Sequence, residues 1–284
     1  MTILTLTKHH GLGNDFLVLL DLDGTTPIDA AMARALCDRH RGVGADGLIR
    51  ATRAQPGGPT GAVLTFELRN ADGSAAEMSG NGMRCLAQAA LDAGVVVAGQ
   101  PFVVDTPAGP RTVTVTPGPS GPNGWSKVEM GRATIDGDAD RCNVGHGQLR
   151  VDIGNPHLVV VGPDPALVAV EQLGPVLEKG VPGGRNVEFV TLGPGPDEVT
   201  MRVWERGVGE TLACGTGACA AAVAMFHWGR TGRRVTVHQR GGDAEVEVGP
   251  DGDVVLAGPV VRICSCQVEV ATDDAPLGMS VVAQ

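Results

Sequence analysis

The sequence predicts an α+β protein made of two similar halves. Three observations carry that expectation. Most of the chain reads as short strand-forming segments, dense in Val and Thr and closed by Gly, Pro or Asp: AVLTFELRN, PFVVDTPAG, RTVTVTP, SKVEMG, LRVDIGNPHLVVV, NVEFVTL, EVTMRVWERG, RRVTVHQ, AEVEVG and DVVLAGPVVRI. Helix-forming stretches are few, at about 28–38, 80–93, 165–178 and 215–228, and such a mixture fits a largely antiparallel sheet with helices packed on it. Finally, the chain repeats itself.

The repeat aligns FELRNADGSAAEMSGNGMRCLAQAA (66–90) with MRVWERGVGETLACGTGACAAAVAM (201–225), without a gap, at an offset of 135. Both copies run strand, glycine-bearing loop, Gly-x-Gly, Ala-rich helix. A second echo pairs GLGNDFLVL (11–19) with DIGNPHLVV (152–160) at an offset of 141. Two echoes in the same order suggest duplication, with two similar helices whose N-termini point at a shared cleft between lobes. The Pro/Gly stretch TPGPSGPNG (116–124) reads as a connector near a domain boundary.

At the start, MTILTLTKHHGLGNDF is strand-like, and its apolar stretch is too short, with the wrong flanks, for a signal peptide. Near the other end of the chain, LACGTGACAAAVAMF (212–226) places Cys214 directly before a Gly-Thr-Gly turn and a run of strong helix formers. The first amides of a helix lack internal partners and lie at the positive end of its dipole. A thiol there is pushed toward thiolate, and the same amides can hold a carboxylate. The alternative is a small buried hydrophobe, which Cys often is.

Composition narrows the function classes. The 284 residues suffice for one large or two modest domains, and 43% hydrophobic content supplies a core. A net charge of −10 argues against nucleic-acid and anionic-membrane partners, which want a basic face. The compact basic cluster of Arg230, Arg233 and Arg234 reads as a solvated turn. No run of about 18 apolar residues offers a membrane span, so the cytoplasm is the expected location. Seven cysteines do not read as a disulfide scaffold, and Cys264 and Cys266 read as alternating positions on a late strand. The seven histidines show no metal-ligand spacing beyond the adjacent His9–His10 pair, so no metal is expected. A phosphate-binding G-x-x-x-x-G-K-[ST] motif is absent. Motif alone does not exclude pyridoxal phosphate, but none of the three lysines sits in a suggestive setting.

The motifs HHGLGNDF, RNADGS…GNGMRC, GNPH, NVEFV and ERGVGETLACGTGACAA, in this order over nearly the whole chain, closely resemble the diaminopimelate epimerase family. The resemblance implies two lobes, each a β-barrel-like sheet wrapped round a central helix, with the site between them. It implies residues 1–120 as the N-terminal lobe, completed by a C-terminal strand at about 264–284, and 121–263 as the second lobe. It also implies a cofactor-independent cytoplasmic homodimer that interconverts LL- and meso-diaminopimelate on the route to lysine and peptidoglycan. Phenazine-biosynthesis isomerases share this fold with different chemistry. A related isomerase or dehydratase of another polar amino acid, or a silent diaminopimelate-binding homologue, therefore remains open.

The family's logic is physical. Inverting an α-carbon without a cofactor needs a base on one face and an acid on the other, poised near neutral pH, and thiols suit that. Helix-start amides on the substrate carboxylate stabilise the charge that develops. Position by position, Cys214 matches the family's second catalytic cysteine. Gly80, Asn81, Gly215 and Thr216 match the amides that hold the α-carboxylate. Asn14, Asn70, Asn155, Asn186 and Arg206 match the polar set that reads the substrate, mostly its distal end. Glu205 matches a residue facing the reacting amino group, and His157 and Glu205 match residues that tune the thiols. Taken singly, these residues also have ordinary uses: Asn in a turn, Arg on a surface, His satisfied in a core.

Two positions depart from the family. Gly47, in GVGADGLI, stands where the family usually has glutamine. The first catalytic cysteine should immediately precede Gly80, and the residue there is Ser79. Cys85 lies six residues on, roughly 9 Å along a helix axis, too far to stand in. A hydroxyl donates a proton but is a far poorer base than a thiol. Ser79 thus reads as a deliberate Cys→Ser change, a natural variant that still epimerises, or the mark of a paralogue with different chemistry.

Overall fold

A computed structural model describes residues 2–118, 123–137, 147–270 and 281–283. Part of the expected connector at 116–124, and residues 271–280 and 284 of the expected completing strand, lie outside the described residues. The chain divides into two compact units: Met1–Gly11, Asp15–Ser126 and Pro259–Gln284 form the first; Leu12–Asn14 and Lys127–Gly258 form the second.

In the first unit, strand Thr2–Gly11 pairs antiparallel with the far part of the long strand Asp253–Val270, from Thr2↔Val270 to His10↔Val261, with a register shift between Lys8 and His9. Strand Asn14–Leu20 passes through helix α1 (Ala30–Cys37) to strand Gly47–Ala51, to which it is parallel. Asp29 caps α1 by accepting from Met32 N at 2.7 Å, which starts the helix two residues after the expected 28. Leu17, Leu19, Leu36, Leu48, Leu4 and Val268 pack between α1 and these strands. Strand Glu67–Asn70 then runs antiparallel to Gly47–Ala51, with Gly47 opposite Asn70. Helix α2 (Gly80–Asp92) is buried from Gly80 to Ala90 and packs on the strands of this unit.

The second unit repeats this plan. Strand Pro156–Val161 passes through a 3-10 turn (Pro165–Leu167) and helix α3 (Val170–Glu178) to the parallel strand Asn186–Leu192. The single helix expected over 165–178 is therefore two pieces. Asp164 caps Pro165–Leu167 through Ala166 N, and that turn ends at Val168, which is extended. Leu158, Val160, Val170, Val187 and Phe189 form the core under α3. Strand Glu198–Glu205 follows antiparallel to Asn186–Leu192. Helix α4 (Gly215–His227) is apolar on all sides and buried from Gly215 to Met225, as a helix must be when strands surround it. It packs against strands 147–152, 156–161, 186–192, 198–205, 234–239 and 242–248.

The two central helices correspond in sequence without slippage. Both α2 and α4 have 13 residues, and their ends differ by the same offset of 135. The parallel pairs correspond as well: Phe16 stands opposite Gly47, and His157 opposite Asn186. Cys264 and Cys266 both lie on the long strand Asp253–Val270, Cys264 exposed and Cys266 buried. Arg233 stacks on the Phe226 ring at 4.8 Å and donates to the carbonyls of Val248 and Gly249, which ties it to its turn. Among the described residues, no helix is long and apolar enough to cross a membrane.

Candidate active site

Each central helix begins with a polar side chain that accepts from the backbone three residues on. Ser79 Oγ accepts from Gly82 N at 3.0 Å, and Cys214 Sγ from Gly217 N at 3.4 Å. Backbone angles at the two caps match: φ −142°, ψ 121° at Ser79 and φ −124°, ψ 120° at Cys214. The glycine at the third helical position is closely enclosed in both helices. A Cβ at Gly82 would lie 3.2 Å from both Ile49 Cδ1 and Ser79 Cβ; at Gly217 it would lie 2.8 Å from Glu188 Oε1 and 3.2 Å from Cys214 Cβ.

In the second unit a chain of hydrogen bonds runs through the site. His157 Nδ1 lies 2.6 Å from Glu188 Oε1, and Nε2 lies 3.0 Å from Asn155 Oδ1. The Asn155 amide donates to Thr216 Oγ1 at 3.5 Å, and Thr216 Oγ1 lies 3.5 Å from Cys214 Sγ. Cys214 in turn is hydrogen-bonded to the Glu205 carboxylate, which also accepts from Thr211 Oγ1. The Cys214 amide donates to Gln239 Oε1 at 2.8 Å. His157, Glu188 and Cys214 are all buried. Asn186 Oδ1 accepts from the Arg206 amide at 2.9 Å, which fixes the start of the turn and leaves the Arg206 side chain exposed. Asn14 belongs to this unit, at the head of strand Asn14–Leu20.

The electrostatics correct the expectation drawn from the helix start. Burial, then the charges of Glu205 and Glu188, push the Cys214 thiol well above its ordinary pKa; the bonds from Thr216 and Gly217 oppose this less strongly. Burial also raises Glu205, against the bonds from Thr211 and Cys214. The resting group is therefore a thiol beside a carboxylate of raised basicity. A proton can pass from sulfur to Glu205 as the sulfur takes another.

In the first unit, Ser79, Gly80 and Asn81 sit together at the start of α2. Asn81 is buried, and its Oδ1 accepts from Arg84 at 2.5 Å. Asn70 donates to Ser74 Oγ at 3.0 Å. At Gly47 a Cβ would lie 2.9 Å from the Arg69 carbonyl oxygen and 3.0 Å from Leu68 Cδ1. A longer residue therefore requires those neighbours to shift. Cys85 is fully buried, and desolvation pushes its thiol up to about 12, which makes it an inert core residue.

Thus His157, Asn155, Thr216, Cys214 and Glu205 form one connected group, Asn186 and Arg206 a second contact, and Ser79, Gly80 and Asn81 the start of the other helix. Sequence reasoning missed Glu188, Thr211 and Gln239. A signal for Glu188 existed: in NVEFV it stands two residues after Asn186, hence on the same face of a strand that is otherwise apolar. Among the described residues, no group of three or more His, Cys, Asp or Glu side chains is placed to hold a metal ion.

The model of the diaminopimelate epimerase family matches residues 6–135 and 149–263. A diaminopimelate epimerase of Desulfitobacterium hafniense is 39% identical over 278 residues, covering 91% of this chain and 95% of its own. One from Xanthomonas euvesicatoria is 40% identical over 275 residues, covering 92% of this chain and 94% of its own. The crystal structure of a hydroxyproline epimerase from Agrobacterium vitis shares the fold with a TM-score of 0.71 at 17% identity, over 96% of this chain and 94% of that one. With the family matched across both units and its motifs in order, the chain belongs to the diaminopimelate epimerase family.

Proposed function

We propose that this protein interconverts LL- and meso-diaminopimelate, without a cofactor, by proton transfer at the α-carbon. The observation that carries the reading is a buried thiol capping an apolar helix and hydrogen-bonded to a carboxylate of raised pKa, in a chain of this family. The Cys214 proton passes to Glu205 while the sulfur takes the α-proton. The electron pair left on carbon is delocalised into the substrate carboxylate, which the amides of Gly215, Thr216, Gly80 and Asn81 receive. A solvent proton relayed through the Ser79 hydroxyl reaches the opposite face, so the hydroxyl is regenerated as it donates, and Glu205 returns its proton to solvent. Asn14, Asn70, Asn155, Asn186 and the Arg206 guanidinium read the substrate, mostly at its distal amino-acid head. The resemblance further supports a cytoplasmic homodimer acting on the route to lysine and peptidoglycan. Ser79 favours one second reading, a homologue that binds diaminopimelate without inverting it.

Chiral analysis after incubation with LL-diaminopimelate tests the assignment, and appearance of the meso form is expected. L-Alanine, which has no second head to pair with Arg206, should turn over at least about 100-fold less well, because polar groups built to bind that head are left unpaired. Comparable turnover of the two would show that the polar set serves another purpose.

A further inference from the structure

The buried pair Glu188–His157 has no counterpart in the first unit. The register of the parallel strands puts Phe16 where the second unit has His157, and Ile49, opposite Val18, where it has Glu188, opposite Val159. Phe16 and Ile49 are as buried as the pair they correspond to. The same architecture is therefore filled by two apolar side chains in one copy and by an acid and an imidazole in the other. Burying a charged pair is costly, and well-packed apolar residues of similar volume serve stability as well or better. Stability alone does not explain the pair.

Its geometry suggests what does. Glu188 Oε1 holds His157 Nδ1 at 2.6 Å, while Glu188 Oε2 is buried with no hydrogen-bond partner, so this carboxylate is committed to the ring. Holding Nδ1 fixes the ring's orientation and aims its Nε2 at Asn155 Oδ1, 3.0 Å away. Asn155 continues to Thr216, and Thr216 to the Cys214 sulfur. The absent Cβ of Gly217 leaves room for Glu188 against the helix start.

Resting on the epimerase reading, we infer that Glu188 is a positioning residue that orients the Cys214 thiol through His157, Asn155 and Thr216. The ionisable groups around that thiol are Glu205, on the neighbouring strand, and Glu188 and His157. Because Glu188 is among the charges that raise Cys214, its removal also has a signed effect on pH dependence.

Three variants test this. Glu188→Gln keeps an acceptor for the ring. It should melt close to the parent, lose roughly tenfold or more in kcat with little change in KM, and move the thiol limb of the kcat/KM profile to lower pH. Glu188→Ile alone strands a buried imidazole and should lower Tm by about 5 °C or more. His157→Phe with Glu188→Ile reproduces the first unit's apolar pair and should recover most of that Tm while kcat stays at least about 100-fold down. Parent kcat with an unmoved pH limb in Glu188→Gln, or parent kcat in the double variant, would overturn the inference. The Tm comparison needs no substrate. If the parent turns nothing over, the epimerase reading fails, and the Tm values still decide the pairing: recovery of Tm on adding His157→Phe to Glu188→Ile supports it, and a further fall overturns it.

Discussion

Replacing Cys214 by alanine is expected to abolish α-proton exchange and leave the fold intact. The sulfur is the one thiol at the head of either central helix, with Glu205 bonded to it as proton acceptor. Loss of a general acid–base group typically costs 10²–10⁴-fold, and the remaining hydroxyl of Ser79 is a weak substitute, so a loss of at least about 10⁴-fold is the expectation. The structural cost is small. Alanine forfeits the cap on Gly217 N, about 1 kcal/mol, against a total stability of roughly 5–15 kcal/mol. Exchange assays with a melting curve on the same sample separate the two effects. Exchange within about tenfold of the parent would remove Cys214 from the chemistry.

The converse change, Ser79→Cys, is expected to raise kcat by roughly 10²–10⁴-fold, the usual worth of a positioned acid–base group. The cap geometry supports it. Ser79 and Cys214 share backbone conformation and hydrogen-bond partner, and the sulfur of Cys214 reaches its amide at 3.4 Å where the oxygen of Ser79 reaches at 3.0 Å. A thiol thus fits a cap of this form. Its surroundings differ in an informative way: the repeat places Asn70 where the second unit has Glu205, and Ile49 where it has Glu188. The new thiol therefore lacks the two carboxylates that raise Cys214. Steady-state kinetics under reducing conditions give the answer, and an unchanged or lower rate would mean that Ser79 is not the position of a missing base.

Much of this was legible in the sequence. The Ala-rich runs after Gly-x-Gly gave α2 and α4 nearly to the residue, because caps and helix formers are local signals. The offset of 135 anticipated the identical helix lengths. The parallel strand pairs were not anticipated. FLVLL and LVVV are continuous apolar runs, as strands covered on both faces must be, and periodicity does not give their direction. Glu188 was passed over because a charged residue is rarely buried unless paired, and its partner lies 31 residues away on a neighbouring strand. The protonated state of Cys214 was hidden for the same reason. The helix start is written locally, whereas the burial and the two carboxylates that outweigh it are assembled by three different strands and a helix.

Incubating the unmodified protein with LL-diaminopimelate in D₂O, with no cofactor added, tests the central claim most directly. The account predicts that α-hydrogen is replaced by deuterium and that meso product carries deuterium at the inverted centre. With one thiol instead of two, exchange should outpace net inversion for one epimer, the one whose α-proton Cys214 removes. Saturable binding of diaminopimelate with every α-hydrogen retained would contradict it.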